Sequence, residues 1–219
     1  MTTSDASWST RFRRIGDLER PDHHYLTEED DCHYLGDYTA RAGWSHSATN
    51  RMISNLKKSP LKRDQPEWRY KGMAINQVAQ VMRSGIMPEY LAGLTFVPIP
   101  PSKLQNHPEY DDRVLQIALR ISPHGTRELI RTVVSRVARH IDDTKRDPNA
   151  LRATLEFDCS LREPPPQHIF RIDDVITTSC SFVVCKQMLS EEFPDAPVTG
   201  LFVARRVLPS PFVTFDVIE

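Results

Sequence analysis

Short apolar runs alternate with segments of helical periodicity along most of this chain, and this alternation limits the folds it can adopt. Helical spacing recurs in residues 67–84, about 111–121, about 126–141 and about 180–193. Apolar runs typical of strands lie near 94–99, 153–157, 169–176 and 198–204. Strands that alternate with helices are typical of a parallel sheet covered by helices. We therefore predict an α/β fold with a mostly parallel central sheet flanked by helices.

Two of the predicted helices carry a clear apolar stripe. In residues 67–84 the stripe consists of Met73, Ile75, Val78, Ala79 and Met82, and Gly85 ends the helix. In residues 126–141 it consists of Leu129, Ile130, Val133, Val134 and Val137. Stripes of this kind pack against the core of a protein. We expect both helices to bury these residues.

The first 66 residues differ from the rest because they are polar and only weakly periodic. Within them, a helix is predicted to begin after Ser47, with Met52, Ile53 and Leu56 on one face. A chain of 219 residues with 39% hydrophobic side chains suits one core. We predict an N-terminal extension over residues 1–66, helical or irregular in structure, and an α/β core over residues 67–219.

Charge, cysteines and histidines argue against several classes of protein. A formal net charge of −1 does not support a nucleic-acid partner, although a local basic patch stays open. The four cysteines show no CxxC spacing, so neither a zinc knuckle nor a redox pair is predicted. His23 and His24 lack a matching metal partner and are expected at the surface. Because no apolar run approaches membrane-spanning length and the N-terminus is polar, we expect a cytoplasmic protein without membrane contact.

Residues 169–181 combine two kinds of polar group in one strand-to-helix turn. An apolar run ends in Asp173 and Asp174, and a hydroxyl-rich segment at 177–181 follows where a helix begins. Adjacent carboxylates accept hydrogen bonds from vicinal hydroxyls and can help to hold Mg²⁺. The backbone N–H groups at a helix start can bind an anion. Together these features predict a site for a sugar diol and a phosphate, although a solvated turn and ordinary helix capping would explain each half alone.

A second polar turn follows the predicted strand at 94–99. Pro100 and Pro101 lead into Ser102 and Lys103, so backbone N–H groups, a hydroxyl and an ammonium group lie together. Ligands of parallel sheets bind at the carboxyl ends of strands, where both polar turns would fall. The turn suits a pyrophosphate, and a rigid proline turn with a solvated lysine is the alternative.

At residues 169–181 the chain resembles the type I phosphoribosyltransferases. Their motif for 5-phosphoribosyl-1-pyrophosphate (PRPP) has a hydrophobic strand, two acidic residues, two apolar residues and Thr-Thr-Gly-x-Thr. The matching residues are Asp173, Asp174, Val175, Ile176, Thr177 and Thr178. Three positions depart from the motif, because Arg171 interrupts the strand, Ser179 replaces glycine and Ser181 replaces threonine. A glycine at that position permits positive φ and a close approach of the backbone to a phosphate.

Within this superfamily the chain most resembles the ComF-type, competence-associated proteins. The shared features are a Tyr-x-Gly segment at 34–36, a lysine-containing helix at 55–57, a Pro-x-Pro turn at 98–100 and an Ala-Arg pair at 204–205. The family's Arg-Gly-Phe-Asn segment is replaced here by residues 108–111, and the N-terminal zinc-binding cysteine cluster of many members is absent. The resemblance spans residues 34–208.

The resemblance implies a PRPP-dependent phosphoribosyltransferase that uses Mg²⁺, transfers the phosphoribosyl group to a nitrogen acceptor and releases pyrophosphate. It implies that Asp173 and Asp174 are catalytic, bind the ribose hydroxyls and help to hold the metal. The implied 5′-phosphate site is Thr177, Thr178, Ser179, Cys180 and Ser181, and the implied pyrophosphate site is Ser102, Lys103 and Arg113. Lys145 or Arg146 would supply a catalytic cation from a flexible loop.

The same resemblance leaves the acceptor and the physiological role open. The hood that selects the acceptor would come from residues before 94 and from residues 209–219, and a homodimer is expected. The alternative is a PRPP- or nucleotide-binding regulatory or accessory protein with little or no turnover. Such a protein would serve DNA uptake, a mobile element or phage defence.

Overall fold

The computed structural model describes residue 8 and residues 11–136 and 147–207. Its strands are β1 (Arg13–Arg14), β2 (Cys32–Thr39), β3 (Leu94–Pro98), β4 (Ile130–Thr132), β5 (Leu155–Phe157), β6 (His168–Ile176) and β7 (Val198–Val207). Its α-helices are α1 (Ala48–Leu56), α2 (Arg69–Ser84), α3 (Arg113–Ile121), α4 (Pro148–Arg152) and α5 (Cys180–Glu192). Short 3-10 helices lie at Arg20–Asp22, Pro60–Lys62, Pro66–Trp68, Pro88–Gly93 and Cys159–Leu161. In these ranges no helix combines the length and the apolar character needed to cross a membrane.

Five strands form the central sheet in the order β1-β2-β7-β6-β3. Strands β2, β7, β6 and β3 run parallel, and only the short β1 is antiparallel to its neighbour β2. Strands β4 and β5 form a separate antiparallel pair. The predicted α/β fold, with a mostly parallel central sheet flanked by helices, is confirmed.

Helices cover both faces of the sheet. On one face the buried side chains of α1, α2 and α3 pack against the sheet; they include Ile53, Leu56, Val78, Met82, Ile117 and Ile121. On the other face the buried residues of α5 include Phe182, Cys185, Met188 and Leu189. Ile169 and Ile172 of β6 belong to different clusters, because side chains three positions apart on a strand point to opposite faces. Each fully buried aliphatic side chain contributes about 1.5–3 kcal/mol to the hydrophobic stabilisation.

The segment before residue 66 contributes to the central sheet. Strand β2 pairs with β7 from Cys32, opposite Gly200, to Thr39, opposite Val207. A Cβ atom at Gly36 would lie 2.4 Å from Thr49 Oγ1, so the absence of a side chain there lets α1 pack closely on β2. The sheet therefore includes residues from both sides of position 66, and the prediction that residues 1–66 are helical or irregular is wrong for β2.

Most of the predicted elements are confirmed. They include the helix capped by Ser47, the helices at 67–84, 111–121 and 180–193, and the strands near 94–99, 153–157, 169–176 and 198–204. Met73 was expected in the core, but its side chain is exposed. The Ala204–Arg205 pair lies within β7 and not after it. Helix α4 was not predicted; Asp147 caps it by accepting a hydrogen bond from the Asn149 N–H at 2.9 Å.

The predicted helix over 126–141 is wrong for residues 126–136. Phe96 of β3 exchanges backbone hydrogen bonds with Gly125 and Arg127, and β4 then pairs with β5. Leu129 and Ile130 are buried as expected, whereas Val133 and Val134 are exposed. Pairing with distant strands outweighs the local helical pattern here. Val137 and the rest of that prediction lie outside the described residues.

Candidate functional site

A cleft of about 1150 Å³ opens at the carboxyl ends of β3, β6 and β7. The predicted site residues that line it are Ser102, Lys103, Arg113, Asp173, Asp174, Thr177, Thr178, Ser179 and Ser181. Cys180 does not line the cleft, because its side chain is buried in the core beneath α5. Lys145 and Arg146 lie outside the described residues. The fold therefore brings both predicted polar turns to one cleft.

The turn between β6 and α5 makes a left-handed step at Ser179. This residue has φ 69° and ψ 4° and stands immediately before the first residue of α5. Positive φ is the conformation that glycine adopts most easily, and a non-glycine residue there is strained by roughly 1–2 kcal/mol. Ser179 is buried, and its Oγ has no hydrogen-bond partner. The turn thus adopts the left-handed conformation typical of glycine although a serine occupies this position.

Two backbone carbonyls of this turn are held by the N-terminal segment. His23 Nδ1 donates to the Thr177 carbonyl oxygen at 2.6 Å, and the Tyr25 N–H donates to the Thr178 carbonyl oxygen at 3.1 Å. In a trans peptide the N–H points away from the carbonyl. The N–H groups of Thr178 and Ser179 therefore point away from residues 23–25. On that opposite side of the turn they can bind an anion.

His23 is fully buried, so its expected surface position is wrong. Because a carbonyl accepts the bond from Nδ1, the ring carries its proton on Nδ1. Its Nε2 is buried without a hydrogen-bond partner. Burial lowers the pKa of His23 below its ordinary value, although the bond to Thr177 opposes that shift. The neutral ring therefore serves as a fixed support for the turn.

Asp174 is held by two cations on one face of the sheet. Arg113 donates to Asp174 Oδ2 from Nε at 2.8 Å and from Nη2 at 2.6 Å, and Lys57 Nζ lies 3.5 Å from Oδ1. Burial alone would raise the pKa of Asp174, but Lys57 and Arg113 outweigh it and hold that pKa well below its usual range. Asp174 is therefore ionised in the folded protein.

Asp173 is paired with a buried arginine of its own strand. Asp173 Oδ1 accepts a hydrogen bond from the Asp174 N–H at 2.7 Å, and Arg171 Nη1 donates to Oδ2 at 3.3 Å. Burial raises the pKa of Asp173, whereas Arg171 opposes that shift. Residues 171 and 173 share a face of β6 because they are two positions apart. Arg171 was treated only as a departure from the motif, yet it lines the cleft beside the acidic pair.

The Arg171 side chain is completely buried. Its guanidinium carbon lies 6.0 Å from the ring centroids of both Phe182 and Phe202. Apart from an interaction with the Cys185 thiol, its Nε and Nη2 atoms have no hydrogen-bond partner. A buried cation with unused donors is costly unless a ligand or a carboxylate compensates for it.

Arg113 is engaged by carboxylates of the protein and not directed freely into the cleft. Besides its two bonds to Asp174, it donates from Nη1 to Asp111 Oδ2 at 2.7 Å. Lys71 is also buried and donates to Asp111 Oδ2 at 2.8 Å. These contacts form one network in which Arg113 positions Asp174. Its predicted role as a pyrophosphate ligand would require it to leave one of these partners.

The second polar turn is held against the first by backbone pairing. The Ile99 N–H donates to the Ile172 carbonyl at 2.8 Å, which continues the β3–β6 ladder toward Pro100. On its other side, the Arg136 N–H donates to the Ser102 carbonyl at 2.7 Å, and Thr132 Oγ1 donates to the Pro101 carbonyl at 2.6 Å. Lys103 Nζ lies 3.7 Å from Glu109. Ser102 and Lys103 therefore face the same cleft as the acidic pair.

The cleft carries more basic than acidic side chains. The described basic residues that line it are Arg41, Lys57, Lys103, Arg113, Arg136, Arg171 and Arg206, and the acidic ones are Glu109, Asp111, Asp147, Asp173 and Asp174. Seven cations against five carboxylates favour an anionic ligand. In the described parts of the chain no three His, Cys, Asp or Glu side chains are grouped as metal ligands.

The acidic pair does not fit direct coordination of the expected Mg²⁺. A magnesium ion needs near-ideal octahedral geometry around freely accessible oxygens. Both oxygens of Asp174 face Arg113 or Lys57, and Asp173 accepts from an amide and from Arg171. Displacing these donors would uncover buried cations. The pair is better suited to accept hydrogen bonds from hydroxyl groups, because each carboxylate keeps further lone pairs.

Neither a family model nor a curated protein matches this chain at a significant level. The resemblance to the type I phosphoribosyltransferases therefore rests on the sequence motifs alone.

Sequence reasoning missed two residues that line this cleft, Arg136 and Arg171, and one that supports its turn, His23. Arg171 had a usable signal, since a charged side chain in an apolar strand needs a buried partner. Arg136 was hidden because its segment was predicted to be helical. His23 lies in a polar segment without periodicity and had no signal at all.

Proposed function

We propose that the protein is a PRPP-dependent phosphoribosyltransferase that transfers the phosphoribosyl group to a nitrogen acceptor and releases pyrophosphate. The observation that carries the proposal is the convergence of two separate turns, at 99–103 and 173–181, on one cleft. One turn offers carboxylates next to a hydroxyl-rich helix start, and the other offers a serine and a lysine. A pentose with a 5′-phosphate and a 1-pyrophosphate carries groups that match each of these features.

The reaction would break the bond between C1 of the ribose and pyrophosphate while the acceptor nitrogen forms a bond to C1. Asp173 and Asp174 would orient the ribose by accepting hydrogen bonds from its hydroxyls. The amides and hydroxyls at 177–181 would hold the 5′-phosphate. Lys103, with Arg136 beside it, would stabilise the charge on the departing pyrophosphate. The catalytic roles of Lys145 and Arg146, a cytoplasmic location and a homodimer stay predictions, whereas the expected Mg²⁺ does not fit the acidic pair as described above.

A binding or regulatory protein with little turnover is the second candidate. It is favoured by one observation: Arg113, the expected pyrophosphate ligand, donates to Asp174 and Asp111 instead. A site with this arrangement would bind PRPP or a nucleotide but would lack one cation for the leaving group. Its partner would be the ligand itself or a component of an uptake, mobile-element or defence system.

Titration calorimetry with PRPP and Mg²⁺ tests the shared part of both candidates. Wild-type protein should bind, and Asp173→Asn should weaken binding by about tenfold or more, because a charged acceptor for a hydroxyl is lost. Asp195→Asn, at an exposed position that does not line the cleft, is the matched control and should bind like the wild type. No binding by the wild type would refute the site.

Pyrophosphate release then separates the two candidates. The protein is incubated with PRPP and a panel of purines, pyrimidines and simple amines, and released pyrophosphate is measured by a coupled assay. Release that depends on one acceptor supports the transferase. Tight binding of PRPP without release for every acceptor supports the regulatory protein.

A further inference from the structure

We propose that this cleft binds its phosphorylated pentose ligand without a divalent metal ion, because cations of the chain itself already neutralise the acidic pair. The inference rests on the proposed function and deepens it. Arg171, Arg113 and Lys57 would take the place of the metal charge around Asp173 and Asp174.

The carboxylate oxygens are the first line of evidence. Asp174 Oδ2 accepts two donors from Arg113, and its Oδ1 faces Lys57. Asp173 Oδ1 accepts from a backbone amide, and its Oδ2 accepts from Arg171. A ribose hydroxyl can add one hydrogen bond to such a carboxylate. A metal ion would instead have to displace the existing cations.

The local charge is the second line of evidence. The connected network contains three carboxylates and four cations: Asp111, Asp173 and Asp174 against Lys57, Lys71, Arg113 and Arg171. If all are ionised, the cluster carries a net charge of +1. Such a cluster repels a free dication and attracts an anionic ligand.

The third line of evidence is that the buried Arg171 side chain cannot easily move away from Asp173. Its side chain is fully buried between Phe182 and Phe202, whereas Lys57 keeps about a third of its side-chain surface exposed. Arg171 Nη1 donates to Asp173 Oδ2 at 3.3 Å, and the residue lines the cleft. Arg171 is thus a built-in cation directly behind Asp173, and its place on β6 fixes it there.

The first experiment measures binding of PRPP and of ribose 5-phosphate by calorimetry, once in EDTA and once in excess Mg²⁺. We expect the dissociation constant of each ligand to change by less than about threefold, because the site supplies its own positive charge. Binding that needs Mg²⁺, or that tightens by more than this, overturns the metal-free site but leaves the proposed function intact. No binding under either condition overturns both.

The second experiment converts the built-in cation into a neutral side chain. Arg171→Met should weaken binding in EDTA by about tenfold or more, and Mg²⁺ should restore part of it. Arg171→Lys keeps the charge and should remain insensitive to Mg²⁺. Arg162→Met, an exposed arginine that pairs with Glu192, is the matched control. Equal behaviour of Arg171→Met and the control in EDTA would overturn the role of Arg171.

Lys57→Met provides the same test at a partly exposed position, in case Arg171→Met does not fold. It should also weaken ligand binding in EDTA, and Mg²⁺ should restore part of that binding.

Titration of each protein with Mn²⁺ alone, followed by electron paramagnetic resonance, gives a readout that needs no ligand. Wild type should leave Mn²⁺ free, and detectable binding by the wild type at the acidic pair would contradict the proposal.

Discussion

Replacing Ser179 by glycine should make the protein more stable. Ser179 adopts φ 69°, which a side chain disfavours, and its buried Oγ has no hydrogen-bond partner. Most substitutions at a buried position destabilise a protein. An increase in stability is therefore a sharp expectation at this position.

The magnitude follows from three contributions. Relief of the left-handed strain is worth roughly 1–2 kcal/mol. Removal of a buried hydroxyl without a partner is worth about 1–3 kcal/mol. The greater backbone freedom of glycine in the unfolded chain costs about 0.5–1 kcal/mol. The net gain in the free energy of unfolding is about 2 kcal/mol, which raises Tm by about 4–8 °C in a chain of this length.

Urea denaturation of wild type, Ser179→Gly and Ser179→Ala separates these contributions. Alanine removes the hydroxyl but keeps the strain, so it should gain about 1 kcal/mol and stay below the glycine variant. If glycine is less stable than wild type, the serine hydroxyl makes a needed bond or the turn is not left-handed, and the reasoning fails.

Three further perturbations test the supports of the cleft and the sheet. Arg113→Met should lower the free energy of unfolding by about 3 kcal/mol, because it removes both hydrogen bonds to the buried Asp174 carboxylate and leaves Lys57, at 3.5 Å, as its remaining cation. A loss below about 1 kcal/mol in urea denaturation would contradict this pairing. Burial lowers the pKa of His23 in the folded protein, so the unfolded chain binds a proton at this residue more readily, and the free energy of unfolding should fall as pH drops below about 6.5. His23→Gln should make the free energy of unfolding less dependent on pH in this range. An unchanged pH dependence in the variant would exclude His23 as its source. Gly36→Ala should lower the free energy of unfolding by about 1–3 kcal/mol, because the new methyl group overlaps with Thr49 of α1. Gly72→Ala, on α2 with open space around it, should raise the free energy of unfolding by up to about 1 kcal/mol. Tm values in the reverse order would refute the close packing of α1 on β2.

The elements that could be predicted are those whose local pattern and tertiary role agree. Helix α2 and strand β6 are examples, since an amphipathic period and an apolar run are visible without the rest of the chain. The predicted helix at 126–136 failed because its apolar residues serve strand pairing with distant segments. The strand at 32–39 went unassigned because its pairing with β7 lies far along the chain.

The candidate site likewise has features that the local sequence predicts and features that depend on distant residues. Residue types and their order in 169–181 are enough to predict a diol and phosphate site, because carboxylates, hydroxyls and a helix start act locally. The charge state of that site depends on Lys57, Arg113 and Arg171, and the position of its turn depends on the supporting bond from His23. Lys57, Arg113 and His23 contact the motif from distant parts of the chain, and Arg171 contacts it from the same face of β6.

By itself, the sequence determined the class of fold and the order of chemical groups around the motif turn, since both depend on periodicities and neighbours along the chain. Only the tertiary structure decided that the two turns share a cleft, that position 179 keeps a left-handed conformation with a serine, and that the acidic pair is already neutralised by cations. The physical reason is that electrostatic and packing partners are chosen by distance in space. Arg113 and Asp174, 61 positions apart in the chain, are joined by bonds as short as 2.6 Å.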